Sequence, residues 1–197
     1  MNRYAYLGLV DSGYAIQPDY TKDNSLDKVL IDTARHIIHY QGDLEVINYA
    51  VPSESGIMLP SWVPDWIKLS VDAGSSRFSE SPYATRNRGI RFIHNGKVLS
   101  LKGVLLGTLH TTQAVAYLPN TSVVKCCIAE DCYVDFWKNE VLDGDQAWLL
   151  FGAKYLFIFR KVGRVFKLVS KAGLKDASGA QYIVDPRKFE PTRIHII

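Results

Sequence analysis

No stretch of this chain approaches the roughly 20 consecutive apolar residues that a membrane helix requires, and the polar residues after Met1 argue against a secretory leader. The expectation is a soluble, cytoplasmic chain. Cysteine is scarce. Cys126, Cys127 and Cys132 are the only three, and an odd number within one short segment does not make a disulfide framework. A zinc site wants four ligands, and the nearest histidine, His110, falls on a different predicted strand. The cysteines read as reduced structural thiols, and neither a metal nor a cofactor is expected. Charge is not concentrated either. The 23 lysines and arginines against 20 aspartates and glutamates leave a formal +3, without a dense basic run, so neither nucleic acid nor an anionic membrane is an expected partner. Missing too are a Walker phosphate loop, a Gly-x-Gly-x-x-Gly turn, a His-Glu-x-x-His pair and a Gly-x-Ser-x-Gly elbow.

What is present suffices for folding. At 197 residues, 47% hydrophobic and 22% charged, the chain can bury one substantial core or two small ones. Its most constrained stretch is Leu59-Pro60-Ser61-Trp62-Val63-Pro64-Asp65-Trp66. Each proline fixes its own φ and pushes the preceding residue toward extended geometry, so this is neither helix nor central strand but a fixed, irregular peptide. Trp62 and Trp66 offer large apolar areas and an N–H that wants a partner, which suits lacing across the edge of a core. Pro64 holds the backbone of Asp65 rigid; a folding role is the main expectation for that carboxylate, and pairing with Arg3 or Arg35 is the alternative.

Before this segment, Leu26, Leu30, Ala34, Ile37 and Ile38 recur at helical spacing. A helix from about Ser25 to Tyr40 is predicted, capped by Asn24 or Ser25, with Asp27 in its first turn and Gly42 at its end. Arg35 and His39 fall on its solvent side. Leu44 to Ala50 alternates like a short strand. From Ile90 onward the pattern is β. Ile90–His94 and Val98–Leu101 flank Asn95-Gly96, a pair that readily takes the positive φ values of a type I′ hairpin turn. Short apolar strands follow at Gly103–His110, Val123–Ile128, Tyr133–Trp137, Ala147–Phe151, Tyr155–Arg160, Val165–Ser170 and Gln181–Val184, and Arg193–Ile197 adds an edge strand. The predicted class is α+β: an N-terminal helix and an irregular Trp/Pro segment, then a mostly antiparallel β-barrel or sandwich. The organisation is a helical and irregular segment over 1–70, a serine-rich loop or linker over 71–88, and a β-rich domain over 89–197. Asp143 and Asp145 flank Gly144 in a turn, where their side chains are expected to bond local backbone amides.

Five ordered landmarks carry a family resemblance. These are Asn2 to Val10, Ile16 to Tyr20, a helix ending Ala34-Arg35-His36-Ile37-Ile38, Gly42-Asp43-Leu44, and the Leu59 to Trp66 block. Further on come Gly144-Asp145 leading into Phe151-Gly152, then Phe157-Ile158-Phe159-Arg160 and Phe166-Lys167-Leu168-Val169. This string resembles filamentous-fungal heterokaryon-incompatibility (HET-domain) proteins, and specifically the region that follows the HET domain, with the HET domain proper missing. The resemblance implies a non-catalytic accessory or regulatory region acting through a protein partner, in non-self recognition and programmed cell death. No catalytic residue is carried over by it. The alternative, left open by the residues themselves, is a small-molecule or nucleotide hydrolase whose site is assembled from residues distant in sequence. Trp62, Pro64, Asp65, Trp66, Arg35 and Asp145 are the candidate structural or interaction residues.

Overall fold

The structure is a computed structural model and describes residues 21, 25–50, 58–66, 89–109, 123–129, 132–137, 141–176, 185 and 188–197. The expected strand at 181–184, the linker at 71–88, Arg3 and His110 lie outside the described residues.

Helix α1 spans Leu26–Gln41. Its apolar stripe does what the spacing predicts, burying Leu30, Ala34 and Ile38 together with Val29 and Ile31. Gly42 ends it at φ 70°, with its amide donating to the Ile38 carbonyl at 2.9 Å. That left-handed cap is open to glycine without strain. Ser25 occupies the N-cap without accepting an amide from the first turn. A hydrogen bond with Ser25 instead holds the Asp27 carboxyl below its ordinary value, against a small opposing effect of burial. A depressed carboxyl contributes stability above its unfolded value of about 3.9, and the contribution is lost as pH falls through the lower folded value. Asp27→Asn is therefore expected to be less stable than the parent at neutral pH. The gap should close below about pH 4 in urea titrations run across that range.

Leu44 to Ala50 is not a strand. Glu45–Tyr49 forms a 3₁₀ helix, with Ile47 N donating to Leu44 O and Ala50 N to Ile47 O. Leu44, Ile47 and Ala50 are buried three apart along one edge of such a helix, with Val46 buried beside them. Asp43 Oδ1 accepts the Glu45 amide at 3.0 Å and starts the turn.

Eight strands follow among the described residues: β1 Arg91–Ile93, β2 Val98–Thr108, β3 Val123–Ala129, β4 Cys132–Trp137, β5 Gln146–Leu150, β6 Leu156–Val162, β7 Val165–Asp176 and β8 Thr192–Ile196. The sheet order is β1-β2-β5-β6-β7-β4-β3, and β8 pairs with both β2 and β7. All pairings are antiparallel except the single β7–β8 contact, Phe166 with Ile196. The class is α+β, as expected, with a near-barrel ring of hydrogen bonds. From β2 through β5, β6, β7 and β4 the sheet curls until β3 lies against β2, while β8 closes a second route from β7 to β2. The C-terminal segment is thus no edge strand. Ile194 and Ile196 face the core between two neighbours, an arrangement that its partly alternating sequence leaves unspecified.

The β1–β2 turn keeps the anticipated Asn95-Gly96 geometry, at φ 56° and 84°, closed by Lys97 N to His94 O at 3.1 Å. His94 is also left-handed, and the paired residues are Ile93 and Val98, so the loop is wider than the two-residue turn expected. Between β6 and β7 the loop is Gly163-Arg164, with Gly163 at φ 61°. Positive φ at its first residue alone makes it a type II′ turn, where glycine carries no steric penalty.

Strands β5 and β6 are buried on both faces. Trp148, Leu150, Phe157 and Phe159 join one apolar cluster, and Ala147, Leu149, Leu156 and Ile158 join a second on the opposite face. This is why both strands read as unbroken apolar runs. α1, the 3₁₀ helix, Trp62 and Val63 cover the first cluster, so the helix and the sheet share one core. In β7 an irregularity between Ile158 and Phe159 pairing breaks the alternation. Leu168 therefore belongs to the first cluster while Ala172 and Leu174 belong to the second.

Candidate functional site

The proline- and tryptophan-bearing segment lies against the place where the ring is weakest. Only one residue pair links β7 to β8, extended by Ile197 N to Phe166 O at 2.9 Å. Ser61 bridges that seam. Its amide donates to Ile197 O at 2.9 Å, its hydroxyl donates to the same carbonyl, and the hydroxyl oxygen accepts the Leu168 amide at 2.8 Å. Ser61 was not singled out by its sequence context. The flanking prolines that fix its direction were the only available signal. Ser61→Ala leaves the Leu168 N–H without its acceptor and should cost about 1–3 kcal/mol. Faster hydrogen exchange at the Leu168 amide than at amides of β5 is the measurement that checks it.

Trp62 is sealed at 0% exposure. Its indole Nε1 donates to Lys97 O at 3.2 Å, and its ring lies 5.7 Å from that of Phe92. Val63, Pro64 and Asp65 are buried beside it, and Trp66 is partly buried against the same cluster. Across the seam Phe166 meets Trp148 edge-on at 5.5 Å and Phe159 at 6.4 Å. The segment therefore faces the core. Asp65 is engaged, whereas Arg35 pairs with Asp32 on its own helix at 2.8 Å. Arg35 is on the solvent side only in part, its side chain 37% exposed. Its stem runs along the β1–β2 turn, so close that a Cβ on Gly96 would sit 2.6 Å from Arg35 Cδ, and its guanidinium lies 5.4 Å from the Phe92 ring centroid. A long side chain can cover apolar surface and still keep its charge near water, which a helical wheel does not anticipate.

A second joint is built around Asp145, 2% exposed. Its carboxylate accepts Arg160 Nε at 2.9 Å on one oxygen and Arg160 Nη2 at 2.8 Å on the other, a bidentate pair. It also accepts the Leu142 amide at 2.8 Å, the local turn role expected of it. Its own carbonyl takes the Leu109 amide at 2.7 Å, and the Gly144 amide returns to Leu109 O at 3.0 Å. The carboxylate thus ties the turn to the outer end of β6, and the backbone of Gly144 and Asp145 ties the same turn to Leu109 at the end of β2. Arg160 is the residue missed here.

Elsewhere, burial pulls the Lys171 ammonium below its ordinary value, and Nζ lies 4.8 Å over the Tyr155 ring. The cysteine backbones sit in the β3–β4 hairpin, where Cys126 pairs with Val134, Cys127 with Tyr133 and Cys132 with Ala129. Their side chains lie outside the described residues. Among the described residues no group of three or more His, Cys, Asp or Glu is placed to hold a metal ion, and no helix is long and apolar enough to cross a membrane. The chemistry of these two joints is structural, with buried polar atoms that saturate one another and fix strand ends. No family model, curated protein or solved structure matches the chain.

Proposed function

We propose that the chain is a non-catalytic accessory or regulatory region of a fungal heterokaryon-incompatibility-type protein. It acts by protein contact in non-self recognition and programmed cell death, and in this reading it is cytoplasmic. The observation that carries the reading is where the landmark residues of the resemblance fall. Leu59 to Trp66 and Phe166 to Val169 meet at the β7–β8 seam, while Gly144-Asp145 and Arg160 meet in the clamp. The segments that carry the likeness, separated by up to about a hundred residues, engage one another as the joints of a single fold. A shared architecture would call for these residues together.

The test is a cell-death assay in a filamentous fungus, with the chain expressed alone and beside an intact HET-domain relative. Viable cells with the chain alone, and altered killing by the relative, are expected. Death from the chain alone, or killing by the relative that does not change, would overturn the reading.

A further inference from the structure

On the side opposite the first core cluster, where Val104 joins the second cluster, the ends of β1, β2 and β8 carry a row of charges that packing does not explain. Leu99, Leu101, Ile194 and Ile196 point into the first core cluster, so the alternate residues of those strands share the opposite face. In register across it run Arg91, Ser100 and His195 in one row and Lys102 with Arg193 in the next. Four basic side chains from three separated segments therefore occupy one patch, and no carboxylate stands at any paired position on this face. Like charges directly opposite each other on neighbouring strands are destabilising, yet Lys102 and Arg193 are paired in this way. Arg193 then reaches across β2, where Nη1 donates to Ser100 Oγ at 3.2 Å and to Gly89 O at 3.1 Å. This carries a second guanidinium to the start of β1, two residues from Arg91. His195 Nδ1 is buried and has no hydrogen-bond partner. Arg91 and Lys102 are exposed.

A departure from local charge rules, with no carboxylate opposite it among the described residues, marks a place where function outweighs stability. We propose that this face binds a small, multiply charged oxyanion of the phosphoryl class, with Arg91, Lys102 and Arg193 as its cationic ligands. Guanidinium groups match the oxygen geometry of a phosphoryl group through charge-assisted hydrogen bonds, and a dianion seated between the rows offsets the Lys102–Arg193 repulsion. The inference is independent of the regulatory role proposed above.

Inorganic phosphate and inorganic pyrophosphate are the probes, titrated calorimetrically into the full chain at ionic strength matched with sodium chloride. Saturable binding is expected, tighter for pyrophosphate. The variant Arg91→Gln/Lys102→Gln, altered only at exposed side chains, should bind roughly 10- to 100-fold more weakly through the loss of charge-assisted contacts. Lys28→Gln/Lys161→Gln removes the same charge from exposed positions elsewhere and should bind like the parent. Three results would overturn the proposal: no saturation beyond the chloride control, unchanged binding in the first variant, or equal weakening in both variants.

Discussion

Trp62→Ala is expected to destabilise the chain by about 3–5 kcal/mol, the range for deleting a large buried aromatic whose site cannot collapse. The ring is fully sealed between Phe92, the helix and the sheet, and relaxation is restrained because prolines fix the backbone on both sides. Single domains are stable by only about 5–15 kcal/mol, so this one change would leave a marginal molecule. Trp62→Phe separates the two contributions. It keeps most of the apolar area but leaves Lys97 O without the indole donor, at a cost of about 1–2 kcal/mol. Urea denaturation with unchanged slope is the measurement. A loss below about 1 kcal/mol for the alanine variant would show that the segment is not part of the core.

The Asp145–Arg160 pair gives the second large effect. Removing one partner of a buried ion pair typically costs about 3–5 kcal/mol, and the two partners here differ in what they leave behind. Asp145→Ala takes an acceptor from the Leu142 amide and leaves an arginine whose side chain is 33% exposed and reaches water, which puts its cost near the lower end, about 3 kcal/mol. Arg160→Ala strands a carboxylate only 3% exposed and should cost more. Asp145→Leu/Arg160→Leu removes both charges and should be less destabilised than the sum of the single leucine variants. Strict additivity in that double-mutant cycle would dismiss the clamp as an energetic unit.

Much of this fold is legible in sequence where the signal is local. The α1 stripe, the Asn95-Gly96 turn and the doubly buried runs of β5 and β6 depend on neighbours within a few residues. What is not legible depends on distant partners. β8 has too little alternation to declare itself, and its place between β2 and β7 becomes visible only when the ring closes. The segment from Leu44 to Ala50 is too short to separate a period of two from a period of three. The clamp lay closer to reach. Gln146 pairs with Phe159 across the β5–β6 hairpin, and extending that register by one residue sets Asp145 opposite Arg160. The basic face could not be read this way, since Arg91, Lys102, Arg193 and His195 come from strands that are neighbours in space but far apart along the chain.

The seam also bears on the order in which the molecule assembles. Ser61 is joined to Leu168 across 107 residues and to Ile197 across 136, whereas the β5–β6 and β6–β7 pairs are hairpins with short loops. Chain closure over such spans is entropically costly and is rewarded only once both ends are in place. The hairpins are therefore expected to form the early nucleus and the seam to lock late, so that weakening Ser61 is expected to leave the refolding rate nearly intact and to appear as faster unfolding.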